Sequence, residues 1–277
     1  MKLERYNKSG RTGNVSESEI LGVPIANLDY KGTVDKIVEW GENRENRYVC
    51  VSNVHSLTSS MWTPDLRDSL MHGDLNTADG VPLVWMQRML GVSKASRVYG
   101  PTLMLHLLER CCRDGLKVAF YGGHSDRLPL LLENMKKRFP GLDIAEVISP
   151  PFRELTPSED LEYTQRLSNS GAHVVLVGIG CPKQENWMRS HTHRIKGVLI
   201  GVGAAFDFHA GVVPQAPPRL QKVGLEWAYR LYCEPRRLFK WYITTNPVFV
   251  VMAALQIVSK LLFQRNYVRT PQTADVR

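Results

Sequence analysis

The run LNTADGVPLVW (75–85) sets Asp79 and Gly80 between a short β-rich stretch and a helical pattern that opens on Val81-Pro82. A carboxylate at such a junction can accept the proton of an attacking hydroxyl, as direct displacement at a sugar's anomeric carbon requires; it can equally cap the helix. The run SNVH (52–55) supplies Asn53, able to donate and accept at a sugar or base edge or to cap a helix, and His55, a base-capable ring that is more often structural. Arg97, in SRVYGPTL (96–103), can neutralise a phosphate or grip a substrate through two parallel bonds, or can be an ordinary surface arginine.

Three glycine-rich runs extend the set. YGGHSD (121–126) offers backbone N–H groups to an anion but lacks the G-x-G-x-x-G spacing of a dinucleotide site. GIGCPKQENW (178–187) is the most specific, because Lys183, Gln184 and Glu185 crowd the first turn of the helix that Pro182 starts. Lys183 suits a phosphate, and Gln184 suits a sugar hydroxyl or amide. GVGAAFDFHAGVVPQAPPR (201–219) adds Asp207, which can read a nucleotide base or ribose or simply hold the loop. No D-x-D triplet occurs in the sequence, so no metal site is expected; cations and helix termini are expected to stabilise a leaving diphosphate, with activity surviving EDTA.

Every one of these groups must be placed by a strand end. YVCVS (48–52), KVAFYGG (117–123), HVVLVGIG (173–180) and GVLIGVG (197–203) read as parallel strands buried on both faces, because they are unbroken apolar runs closed by polar or glycine residues. Helical patterns lie between them at 81–90, 102–113, 127–139 and 158–170. This alternation predicts an α/β fold: a Rossmann-like layered domain with a mostly parallel sheet over 20–220, and ligands at the carboxyl ends of its strands. Residues 1–19 read as a polar, disordered leader without the apolar stretch of a signal peptide.

The net charge of +8 on 277 residues favours polyanionic partners, and its placement narrows the choice. From Lys222 to Arg269 the chain has eight Lys or Arg against two Glu, interleaved with Trp227, Tyr229, Tyr232, Phe239, Trp241 and Tyr242. Residues 221–277 are therefore expected to form a helical appendage for an anionic membrane surface; a solvated terminal helix pair is the plainer alternative. RNA is disfavoured because no RNP-type aromatic sheet motif accompanies the charge, leaving no nucleic acid beyond a donor nucleotide. Only Val248 to Val258 approaches the composition of a membrane span, and at that length it is too short to cross. Five scattered cysteines without a C-x-x-C pair argue against disulfides and zinc and suit a reducing cytosol.

The blocks SNVHSL (52–57), ADGVPLVW (78–85), RVYGPTL (97–103), FYGG (120–123), VGIGCPKQENW (177–187), GVGAAFDFHAG (201–211), APPR (216–219) and GLEWAYRLYCEPRR (224–237), in this order, resemble the WecG/TagA/CpsF family of bacterial glycosyltransferases. The resemblance runs from about Leu21 to Trp241. It implies an inverting transfer from a UDP-sugar to an undecaprenyl-diphosphate-linked sugar in surface polysaccharide synthesis, without a cofactor. It also implies a tail that helps membrane docking and active-site closure on the cytoplasmic face of the bacterial cell membrane. Within it Asp79 is the base, Asn53, Arg97 and Gln184 line the pocket, and Arg230, Arg236 and Arg237 contact diphosphate. The family's threonine before the asparagine is Ser52 here; N-acetylmannosamine, its uronic acid and glucose all remain as donor sugars, and a homo-oligomer is among the allowed assemblies. An NAD-dependent or sugar-nucleotide-modifying Rossmann enzyme is the alternative, but the first strand ends SNVHS without a glycine fingerprint. A non-catalytic membrane adaptor accounts for the tail but not for the polar strand ends.

Overall fold

The computed structural model describes residues 15–222, 224–263 and 267–269. The chain runs β1 (Glu17–Ile20), β2 (Val23–Ala26), α1 (Tyr30–Glu42), β3 (Arg47–Ser52), α2 (Val54–Ser59), α3 (Pro64–His72), β4 (Leu75–Ala78) and α4 (Val81–Leu90). It continues through α5 (Gly100–Asp114), β5 (Val118–Gly122), α6 (Leu128–Arg138), β6 (Ile144–Ile148), α7 (Pro157–Asn169), β7 (Val174–Gly178) and α8 (Lys183–His191). It closes with β8 (Val198–Gly201), α9 (Ala205–His209), α10 (Pro218–Lys222), α11 (Glu226–Cys233), α12 (Pro235–Phe263) and β9 (Val268–Arg269).

Six strands form one parallel sheet in the order β4-β3-β8-β7-β5-β6. The unbroken apolar runs are explained by two-sided burial: Val49, Val118, Phe120, Val174, Leu176 and Ile200 enter the core beneath α1, α5, α6 and α9. Their alternates Tyr48, Cys50, Ala119, Tyr121, Val175 and Leu199 pack into the opposite core, against α2, α3, α4 and α8. A strand in this position has no polar face, which is why a period of two is invisible in its sequence. The α/β layering expected from the sequence is the fold observed.

Two expectations are corrected, the end of the leader and the length of the apolar stretch. Glu17–Ile20, at the end of the proposed leader, is a strand; it pairs antiparallel with β2 through a turn at Leu21 and Gly22, both at positive φ as such a tight hairpin demands. Residues 1–14 of that leader lie outside the described residues. The tail is helical as expected through α10, α11 and α12, and the two-residue β9 then returns to pair with β1. The apolar stretch is also longer than Val248–Val258: α12 continues through Pro247, and Leu238–Phe263 is long and apolar enough to cross a membrane by length and composition. Intervening Asn246, Pro247 and Lys260 had made the run look short.

Helix α12 nevertheless packs on the body. Leu238, Phe249 and Ala253 are buried, the last two within the core that α2 and α4 share. Gln256 accepts from Leu21 N at 3.0 Å and donates to Glu19 O at 2.6 Å, and Lys260 donates to Met89 O at 2.9 Å. His55 on α2 stacks on Trp241 with ring centres 4.5 Å apart, which gives that histidine a packing role.

Candidate functional site

The strand order brings together residues that the sequence scatters. Neighbours β4, β3, β8 and β7 end on Asp79, Asn53, Gly203 and the turn that carries Lys183 and Gln184. Asp79 N donates to Ser52 O at 2.8 Å, fixing the first two ends against each other.

Asp79 is not the cap of α4: Gly80 holds that position, with no side-chain bond to the helix. The Asp79 side chain is partly buried: Gly100 N–H bonds its carboxylate, while its Oδ1 is closed off from solvent and has no hydrogen-bond partner. Arg97 Nη2 lies 3.6 Å from that oxygen. Burial pushes the Asp79 pKa up to about 6, against the opposing charge of Arg97 and with a smaller upward push from Glu226. A carboxylate so tuned is ionised at neutral pH yet far more basic than one in water, the property a general base needs.

Arg97 is held on three sides. Its Nε donates to the Asp79 main-chain oxygen, its Nη2 donates to Glu226 Oε2 at 2.6 Å, and its guanidinium lies over the Tyr99 ring at 4.3 Å. Tyr99 N donates to Tyr30 Oη at 3.0 Å, and both phenols are pushed upward by burial. Glu226 carried no role in the sequence reading. Its signal was an acid at the start of a segment otherwise dominated by cations, and the fold turns that acid inward to 9% exposure.

Asn53 does cap α2: its Oδ1 accepts from Ser56 N at 3.1 Å, and Ser56 Oγ returns the bond to Asn53 N at 2.9 Å. The cap uses one side of the amide and leaves Nδ2 unengaged among the described residues. Gln184 is buried beneath the end of β8, where its Nε2 donates to Glu185 Oε1 at 2.8 Å while its Oε1 has no partner. Glu185 is buried too, and burial raises its carboxyl, so it serves as the holder of Gln184. Lys183 stands exposed at the start of α8 with no acid paired to it among the described residues. The glycines of this turn divide by purpose. A Cβ at Gly178 would meet the Phe206 ring at 2.6 Å, so that site is already filled, whereas Gly180, at φ +82°, faces open space.

The remaining candidates have other partners. Asp207 on α9 pairs with Arg127 at 3.1 Å across a shallow depression bordered by Gly123, His124 and Phe206. His124 in YGGHSD pairs with Asp126 in its own turn. Arg230 on α11 lies over the Phe208 ring at 5.5 Å, and its charge reaches Asp79. Arg236 is exposed on α12, and the Arg237 side chain lies outside what the structure describes.

The sequence model described as "Glycosyl transferase WecG/TagA/CpsF family" matches residues 18–262. The chain belongs to the WecG/TagA/CpsF family of glycosyltransferases. It is 26% identical over 197 residues, covering 71% of this chain and 75% of the relative, to a protein of Bacillus spizizenii named N-acetylglucosaminyldiphosphoundecaprenol N-acetyl-beta-D-mannosaminyltransferase. The matched span starts inside β1 and ends one residue short of the end of α12. The tail as far as Leu262 is therefore part of the WecG/TagA/CpsF unit, as its packing on α2 and α4 also indicates.

Proposed function

We propose that this glycosyltransferase moves a sugar from a UDP-sugar to a sugar carried on a polyprenyl diphosphate, with inversion, in bacterial surface polysaccharide synthesis. The observation that carries the reading is the Asp79 carboxylate: one oxygen closed off from solvent and unbonded, its pKa raised to about 6, and set at a strand end beside Asn53. The acceptor hydroxyl oxygen forms a bond to the anomeric carbon while the bond from that carbon to the UDP phosphate oxygen breaks. The hydroxyl proton passes to Asp79, and the bonding pair leaves with UDP. Asn53 Nδ2 and Gln184 Oε1 have the unspent capacity to hold sugar hydroxyls or an amide. Lys183, at a helix N-terminus, and Arg230 supply positive charge for the departing diphosphate, and Asp207 the far contact to ribose or base. The name of the B. spizizenii relative supports a lipid-linked acceptor.

The enzyme acts from the cytoplasmic face as a peripheral protein. Its cationic tail supports this, and so does a shared apolar exposure beside α12: Trp85 and Met89, one helical turn apart on α4, and Met61 and Trp62 after α2. Val250, Val251, Leu255 and Leu261 are likewise exposed along α12, which packs on α2 and α4. Gln256 and Lys260 bond α12 to the β1 hairpin and to α4, and Phe249 and Ala253 pack into the body, which supports a helix lying on the interface rather than across it.

Transfer of radiolabel from a panel of UDP-sugars to a synthetic polyprenyl-diphosphate sugar tests the reaction. Product of inverted anomeric configuration is expected; an acceptor-independent reaction, or thermal stabilisation by NAD and not by UDP, would overturn it. Gln184→Ala is expected to lower kcat/KM by about 10-fold or more, since a buried amide that bonds substrate is worth about 1.5 kcal/mol or more. Lys183→Ala is expected to weaken UDP binding measurably at low salt. Unchanged kinetics in both variants make the turn a structural one.

A further inference from the structure

We propose that Glu226 is a positioning residue for the reaction: from α11 it holds the Arg97 guanidinium away from Asp79 and leaves the base free to take a proton. The proposal rests on the reading of Asp79 as the base. A guanidinium beside a buried carboxylate ordinarily closes on it through short, paired bonds. Here it does not: Arg97 Nη2 is 2.6 Å from Glu226 and 3.6 Å from Asp79, and Asp79 Oδ1 is left without any hydrogen bond.

Two of the guanidinium nitrogens are engaged elsewhere. Nε goes to the Asp79 main-chain carbonyl, which anchors Arg97 to the strand end without neutralising the side chain. The Tyr99 ring covers one face. Glu226 takes Nη2, so the second carboxylate competes with the first for one cation. The groups that face Asp79 are Arg97, Glu226 and Arg230 of α11, Tyr30 of α1, Tyr99, and the Gly100 N–H. Arg97, Arg230 and Gly100 favour its charged form, and Glu226 opposes it. Removing the Glu226 charge deletes that opposition and also frees Arg97 to close on Asp79. Both effects make Asp79 a weaker base.

The arrangement also gives the tail a chemical task. Glu226 starts α11, so the tail must be seated on the body for the base to be set.

Glu226→Gln keeps a hydrogen-bond acceptor for Arg97 but removes the charge. The expected result is that the acid limb of kcat/KM against pH moves down by about one unit. The plateau turnover is expected to fall several-fold, and Glu226→Asp to restore the limb. A carboxyl 13C NMR titration of Asp79 without substrate, assigned by its loss in Asp79→Asn, is expected to move the same way. Should Glu226→Gln not fold, Glu226→Ser, which leaves room for water on Arg97, is read by the same titration. An unshifted limb and an unshifted Asp79 titration, with only turnover or melting temperature lowered, overturn the proposal and leave Glu226 a structural tie. If Asp79→Asn keeps full turnover, the base assignment fails instead, while the titration still decides whether Glu226 governs Asp79.

Discussion

Asp79→Asn lowers transfer turnover by about 10²-fold or more while nucleotide affinity and the fold persist. The amide matches the carboxylate in shape but cannot take the acceptor's proton. In the wild type the carboxyl titrates at about 6, so kcat/KM falls about tenfold per unit as pH drops below that value. The same shift has a consequence for stability. The folded pKa stands above its ordinary value of 3.8, so the protonated form favours the folded state. That contribution is fully present below about 3.8 and is lost as pH rises through about 6. At pH 8 the ionised Asp79 is a burden of up to about 3 kcal/mol, which the neutral amide relieves. Asp79→Asn therefore melts no lower than wild type at pH 8, and higher if Arg97 and Glu226 pair undisturbed. Near wild-type turnover, or a melting temperature several degrees lower, contradicts the assignment. A loss of activity with a gain of stability is the signature of a residue placed for chemistry rather than for the fold.

A chain ending before Gly224 loses transfer to a long-chain lipid acceptor, loses sedimentation with anionic vesicles, and melts about 5–10 °C lower. The first two losses follow from removing Glu226, Arg230 and the cationic, aromatic tail, in which each Lys or Arg near an anionic surface contributes about 1 kcal/mol. The third follows from packing. Leu238 and Phe249 are buried, and burying a side chain of that size is worth about 1.5–3 kcal/mol each. The parallel sheet is complete by Gly201, but the cut leaves α2 and α4 uncovered. Full-length Trp85→Ser/Met89→Ser separates the effects, because both side chains are about half exposed (52% and 51%) and their loss spares the core. This double variant is expected to bind vesicles more weakly at unchanged melting temperature and unchanged transfer to a short-chain, soluble acceptor. Equal sedimentation of the truncated and full-length chains removes the membrane role, and binding of the full-length chain that resists high salt assigns it to apolar insertion.

The sequence by itself determined the layered α/β fold, four of the six parallel strands and helices such as α4, whose bounds at 81–90 were legible to the residue. Long apolar runs can be buried on both faces only in a covered parallel sheet, so composition and fold are tied directly. Other elements left weaker traces. Strand β6 is only half-buried along most of its length, so it lacks the apolar run, and β1 is polar enough in ESEI to pass for a leader. The candidate residues were legible by type, because catalysis uses few side chains and strand ends expose them. Their roles were decided only by tertiary structure. The order β4-β3-β8-β7 makes neighbours of ends that lie between 53 and 203 in the chain. Whether Asp79 caps α4 or leaves Oδ1 unbonded depends on a single residue of register, and the helix begins after Gly80. Glu226, 129 residues from Arg97, was one of two glutamates in a basic tail until folding set it 2.6 Å from that guanidinium. Side-chain type is local, but burial and electrostatic partnership are properties of distance in space, and those emerge only when the chain has packed.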